Sequence, residues 1–95
     1  MLEAVKGYLK ITWDEEDEAV TDLIDRGKKK LEELTGADLD FENEGLDRSL
    51  LFDYCRYAYN NASEYFEENF QKEILRLQLM TGVSLLPVDG EEDET

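Results

Sequence analysis

Residues 14 to 18 read DEEDE, five carboxylates in succession between Trp13 and the apolar Val20. Adjacent acids repel one another, so such a run needs a cation, a catalytic proton economy or a helix start to hold it. A calcium loop opening at Asp14 requires glycine where Ala19 stands. A second acidic stretch, ADLDFENEGLD at 37–47, alternates Asp38, Asp40, Glu42 and Glu44 with Leu39, Phe41 and Asn43. Counted from Asp38, its glycine position holds Asn43 and its bidentate glutamate position holds Ser49, so it too fails the calcium pattern. The run at 14–18 fits a helix start instead. Thr12 with Glu15 has the spacing of a capping box, and acids in a first turn face unpaired amide N–H groups and the positive end of the helix dipole. Arg26, Lys28, Lys29 and Lys30 gather toward the other end, where the same dipole favours cations.

Other reactive side chains are few. The chain has no histidine, so it lacks the usual general base and transition-metal ligand. Its one cysteine, Cys55, rules out an internal disulfide framework and has no histidine to activate it. On an apolar helical stripe it is read as a buried structural thiol. No phosphate-binding glycine loop, dinucleotide fingerprint or nucleophile elbow is present. Tyr54, Tyr57, Tyr59 and Tyr65 suggest base stacking, but stacking proteins pair their aromatics with a basic groove. Here 25 acids face 10 bases, a formal charge of −15, which repels phosphate backbones and anionic membranes. The tyrosines are read as rigid contact residues, with Tyr57 and Tyr59 as candidates for a protein interface. No catalysis, no cofactor and no metal is expected.

The elements that must position these residues are helical. Ninety-five residues, 41% apolar, allow one domain with one core. No apolar run approaches a membrane span and the first ten residues carry no signal-peptide core, so an intracellular chain is expected. Leu2, Val5 and Leu9 mark a short first helix. Trp13, Val20, Leu23, Ile24, Gly27, Leu31 and Leu34 recur at steps of three, four and seven, predicting a helix over 14–35 that Gly36 closes. Leu51, Tyr54, Cys55, Ala58, Ala62, Tyr65 and Phe66 predict a second long helix over 47–69. Phe70, Ile74 and Leu77 predict a last one that Gly82 stops, with Leu75 and Leu79 beside the line. Beyond it, Val83, Leu85, Leu86 and Val88 surround Pro87 and precede five acids. Proline forbids a continuing helix, so this segment reads as an extended arm, either a solvated end or a docking element, and its apolar residues before the acids point to docking. The expected fold is all-α, a small bundle of three to four helices over 1–82 with an acidic loop between its two long helices and a C-terminal arm over 83–95.

Two blocks carry a resemblance to a known family. LEAVKGYLKITWDEEDEAVTDLIDRGKKKLEELTG, at 2–36, resembles the N-terminal part of small phage head–tail connector proteins, the head-completion or DNA-packaging adaptors. The common frame is a short helix ending near YLKI, an acid-rich turn, an apolar LI pair and a closing TG. DYCRYAYNNASEYFEENFQKEILRLQ, at 53–78, resembles the second helical block of versions from phages and prophages of Gram-positive bacteria. Lys10 stands where arginine is more frequent in that family, and the loop 37–47 and the segment 83–95 fall outside the resemblance. It implies a subunit of a ring of about a dozen copies beneath the portal protein. Such a ring joins the head to tail-completion proteins and lets DNA pass without specific binding. It also implies assembly in the host cytoplasm and a final place at the virion head–tail junction. From a different class, an acidic inhibitor or DNA mimic remains the alternative. The acids concentrate in a helix start, a loop and a tail rather than spreading over one surface, which favours the adaptor.

Overall fold

The computed structural model describes the backbone of residues 1–85 and the side chains of residues 1–82. Among the described residues every regular element is helical: α1 (Leu2–Leu9), α2 (Asp17–Thr35), α3 (Leu46–Tyr59), a 3₁₀ turn (Ser63–Tyr65), the single turn α4 (Phe66–Asn69) and α5 (Gln71–Leu85). The expected small all-α bundle is therefore the fold. α2 lies at its centre, packed against α1, α3 and α5. Val20, Ile24, Gly27 and Leu31 of α2 are buried as the stripe requires, with Leu23 and Leu34 half-buried at its margins. They meet Leu50, Leu51, Tyr54 and Cys55 of α3, Phe66 of α4 and Ile74 and Leu77 of α5. Burying these large apolar side chains supplies the main drive to fold, on the order of 1.5–3 kcal/mol for each.

Helix ends explain where the chain departs from its apolar periodicity. α1 ends in a Schellman motif: the Lys10 N–H donates to the Gly7 carbonyl at 3.2 Å and the Ile11 N–H to the Lys6 carbonyl at 2.8 Å. This places Lys10 in the left-handed region at φ 63° and turns Ile11 into the core. The same motif breaks the long helix expected over 47–69. Asn61, at φ 59°, donates to the Ala58 carbonyl at 3.0 Å, and Ala62 donates to the Tyr57 carbonyl at 2.8 Å. Asparagine tolerates this conformation, so Asn60–Asn61 ends α3 and starts a tight turn. The turn still delivers Phe66, fully buried, to the core that the stripe foretold.

Three further boundaries differ from expectation. α2 begins at Asp17 with Glu16 as its first cap and no side-chain capping bond, so Thr12 and Glu15 form no capping box. Asp14, Glu15 and Glu16 precede the helix, and only Asp17 and Glu18 lie in its first turn. Gly36 does close α2, at φ 69°, with its N–H on the Glu32 carbonyl at 2.8 Å. At the far end, α5 runs through Gly82 to Leu85. The backbone at Val83 and Leu85 is thus helical, not the extended arm expected there, because Gly82 is spaced within a helix it does not have to stop. Leu86 and Val88, with the rest of the expected arm, lie outside the described residues.

Candidate interaction surfaces

The acid run forms a seam between three helices. Lys6, on α1, is buried, with its Nζ 2.8 Å from Asp14 Oδ1 and 2.7 Å from Asp17 Oδ1. Hydrogen bonding to Asp14, and then to Asp17, raises the Lys6 pKa above lysine's ordinary value. A buried ammonium without such partners would be strongly disfavoured, and here two carboxylates supply them. Glu16 holds the other side. Its Oε1 accepts from the Tyr59 hydroxyl at 2.8 Å and from Trp13 Nε1 at 2.9 Å. Tyr59 first, then Trp13, lowers the Glu16 carboxyl below its usual range, and Glu16 raises Tyr59 in turn. The run therefore joins α1 to α2 through Lys6 and α3 to the α1–α2 connection through Tyr59. Among the described residues no group of acids is arranged to hold a metal ion.

Tyr57 and Tyr59, expected at an interface, both have intrachain roles. Tyr57 packs edge-on against Phe66 and Phe70, with ring centroids 6.2 and 5.5 Å away. Its hydroxyl accepts from Asn69 Nδ2 at 2.9 Å, and Arg56 covers its other face. Tyr59 is taken up by Glu16. Nothing local in the sequence signals that pair, whose members lie 43 positions apart. Tyr8 makes a similar long-range contact: its hydroxyl donates to Asp53 Oδ1 at 2.6 Å, and that bond is the main reason its pKa is raised. Cys55 is fully buried, and burial pushes its thiol up to about 12, in keeping with a structural side chain.

The loop 37–45 is pinned rather than loose. The Glu32 carboxylate accepts from the Leu39 N–H at 3.1 Å, and Arg48 Nη1 donates to the Phe41 and Glu42 carbonyls at 3.0 and 3.3 Å. Asp40 accepts from the Glu42 N–H and from Asn43 Nδ2, which lowers its pKa, the Asn43 bond contributing most. Phe41 is buried beneath and Leu39 half-buried, so the alternation of wet and apolar positions is real, and among its acids Asp40 binds the loop to itself. Between this loop, the start of α3 and α5 lies a cleft of about 500 Å³. Leu39, Leu46 and Leu77 line it, and Asp38, Asp40 and Asp47 lie along it with no lysine or arginine among the lining residues.

A contrasting surface lies on the outer side of α5. Leu75 and Leu79 are 55% and 60% exposed, one turn apart, and Lys72 and Arg76 flank them on the same face. Both leucines stand beside the buried line of Ile74 and Leu77, and that offset in the sequence is the signal that could have marked them for a surface role. Among the described residues neither Lys72 nor Arg76 has an ion-pair partner. Exposed aromatics, Tyr8, Trp13 and Tyr65, are scattered elsewhere. No described helix is long and apolar enough to cross a membrane. In comparisons with known proteins, the chain matches no family model, no curated protein and no solved structure.

Proposed function

We propose that this chain is a structural adaptor of a tailed-phage or prophage head–tail junction, working by assembly without catalysis. The observation that carries the reading is Leu75 and Leu79 exposed side by side on the outer face of α5. Apolar side chains paired on one helix face, flanked by charge, are the pattern of helix-in-groove contacts between subunits. The resemblance of residues 2–36 and 53–78 to head–tail connectors supplies the setting: copies of this chain, a portal protein above and a tail-completion protein below. A charge of −15 per copy suits a passage that DNA must traverse without adhering. A DNA mimic would spread its carboxylates over one surface, whereas here acids concentrate in the 14–18 run and the 37–47 loop, and Asp14, Asp17 and Glu16 serve internal contacts with Lys6 and Tyr59.

Deleting the gene from an inducible prophage and viewing the particles by negative-stain electron microscopy tests this. The expected result is heads and tails that fail to join, restored by the gene supplied in trans. Intact, infectious tailed particles without the chain would refute the adaptor reading.

A further inference from the structure

The cleft beside the 37–45 loop and the outer face of α5 have opposite character. One is a concavity floored by Leu39, Leu46 and Leu77 and bordered by three aspartates. The other is a convex helical ridge, Leu75 and Leu79, bordered by two cations. We infer that these surfaces are partners, the α5 ridge of one copy seating in the loop cleft of the next.

Several facts favour a second copy as the occupant. The cleft volume, about 500 Å³, is that of a pocket able to enclose a few apolar side chains. Leucines four apart are the anchors of helix-in-groove binding, and the ridge presents two. Lys72 and Arg76 would meet Asp38, Asp40 and Asp47, whereas a neighbour's acid-rich helix start would be repelled. A chain cannot fill its own cleft with this ridge. Leu77 and Thr81 of the same helix line the cleft, and at about 100° per residue they stand on the opposite side of α5 from Leu75 and Leu79. The contact is therefore head-to-tail: every pair leaves one ridge and one cleft open, so it grows into a ring or a filament rather than stopping at a symmetric dimer. This assignment deepens the adaptor reading and rests on it for the expectation that copies meet.

The test uses the full chain and two sets of exposed substitutions, followed by sedimentation velocity from micromolar to millimolar concentration at physiological salt. Lys72→Glu with Arg76→Glu spoils the ridge and leaves the cleft. Asp38→Lys with Asp47→Asn spoils the cleft and leaves the ridge, and Asp38→Lys alone serves where the pair disturbs folding, since Asp38 makes no hydrogen bond among the described residues. Wild type is expected to grow with concentration and each variant to associate at least about tenfold more weakly. An equal mixture of the two variants is expected to associate again, because the intact ridge of one seats in the intact cleft of the other and the reversed ridge charges meet the lysine placed at position 38. A wild type that stays monomeric throughout, a variant that assembles like wild type, or a mixture that never pairs would each overturn the assignment. Assembly through these surfaces in a chain that never joins heads to tails would leave the interface standing and remove the adaptor reading.

Discussion

Gly27 offers a direct measure of how closely α2 and α3 approach. It is a buried glycine in the middle of a 19-residue helix, where alanine would normally be preferred by about 0.8–1.0 kcal/mol. A β-carbon at Gly27, however, would lie 2.7 Å from Leu51 Cδ1 and 2.9 Å from Tyr54 Cδ2. Ordinary carbon contacts fall at about 3.5–4.0 Å, so both neighbours would have to retreat by more than half an ångström. Neither has room. Leu51 is fully buried, and the Tyr54 ring stands edge-on to Phe66 at 5.3 Å. Overpacking of this kind costs roughly 1–3 kcal/mol, and subtracting the helix preference leaves a net loss of about 0–2 kcal/mol. For a domain of this size that lowers the melting temperature by roughly 4–8 °C per kcal/mol.

Gly7 is the internal control. It lies inside α1 with nothing within 4 Å of where a β-carbon would stand, so Gly7→Ala is expected to stabilise by about 0.5–1 kcal/mol. Thermal and urea melts of both variants decide the matter. Combining Gly27→Ala with Leu51→Ala should cost less than the two single losses added together, by at least about 0.5 kcal/mol, because the second change vacates the space the first one needs. If Gly27→Ala stabilised the protein as Gly7→Ala does, the close approach of the two helices would be refuted.

Lys10→Gly relieves a left-handed backbone at a cost of some extra unfolded-state freedom, for an expected net gain of about 0.5–1 kcal/mol in a thermal melt. An unchanged or lower melting temperature would count against that C-terminal cap. Tyr59→Phe removes the main hydrogen bond that depresses the Glu16 pKa, so its destabilisation should be present above the ordinary glutamate range and fade as pH falls through the depressed value. A wild-type-minus-variant difference that grew on acidification would contradict this. Truncation after Leu85 should leave helical circular dichroism and the melting temperature nearly intact, since the core residues all precede it, while abolishing binding to a partner ring if the following segment docks. Unfolding of the truncated chain would place that segment in the core, and normal binding would deny it a docking role.

The apolar spacing made most of the core legible. Val20, Ile24 and Leu31 against Leu51, Cys55 and Phe66 follow from helical periodicity, and the Gly36 terminus from glycine's freedom at positive φ. The break after α3 was hidden because Ala58, Ala62 and Phe66 keep helical spacing across it. Asn61 takes the left-handed position that a glycine would have advertised. The acid run misled for a related reason: a threonine three residues before a glutamate fits a capping box, yet α1 reaches back with Lys6 and draws Asp14 into an ion pair before the helix can begin. Tyr59 looked available because a hydroxyl's partner 43 positions away leaves no local trace.

Charge is what separates the inner seam from the outward surfaces. A chain with 25 acids and 10 bases cannot pair them all, so where each base goes decides which acids remain for other molecules. Lys6 is drawn inside by Asp14 and Asp17, Arg48 is turned onto loop carbonyls, Arg56 onto Asp53, and Lys30 onto Glu67. These contacts use cations to bind helices and loop together, and surface pairs among them add little energy once screened by water. Lys72 and Arg76 are spent on no such bond, and they flank exposed leucines. Asp38 likewise serves no internal bond, and it borders an apolar cleft. In a chain this short of cations, two left unpaired beside apolar side chains cost nothing in cohesion that the seam does not already supply. Their position on one helix face gives the ridge a sign opposite to that of the loop cleft, and that contrast is what would let one copy find another against a repulsion of like net charge.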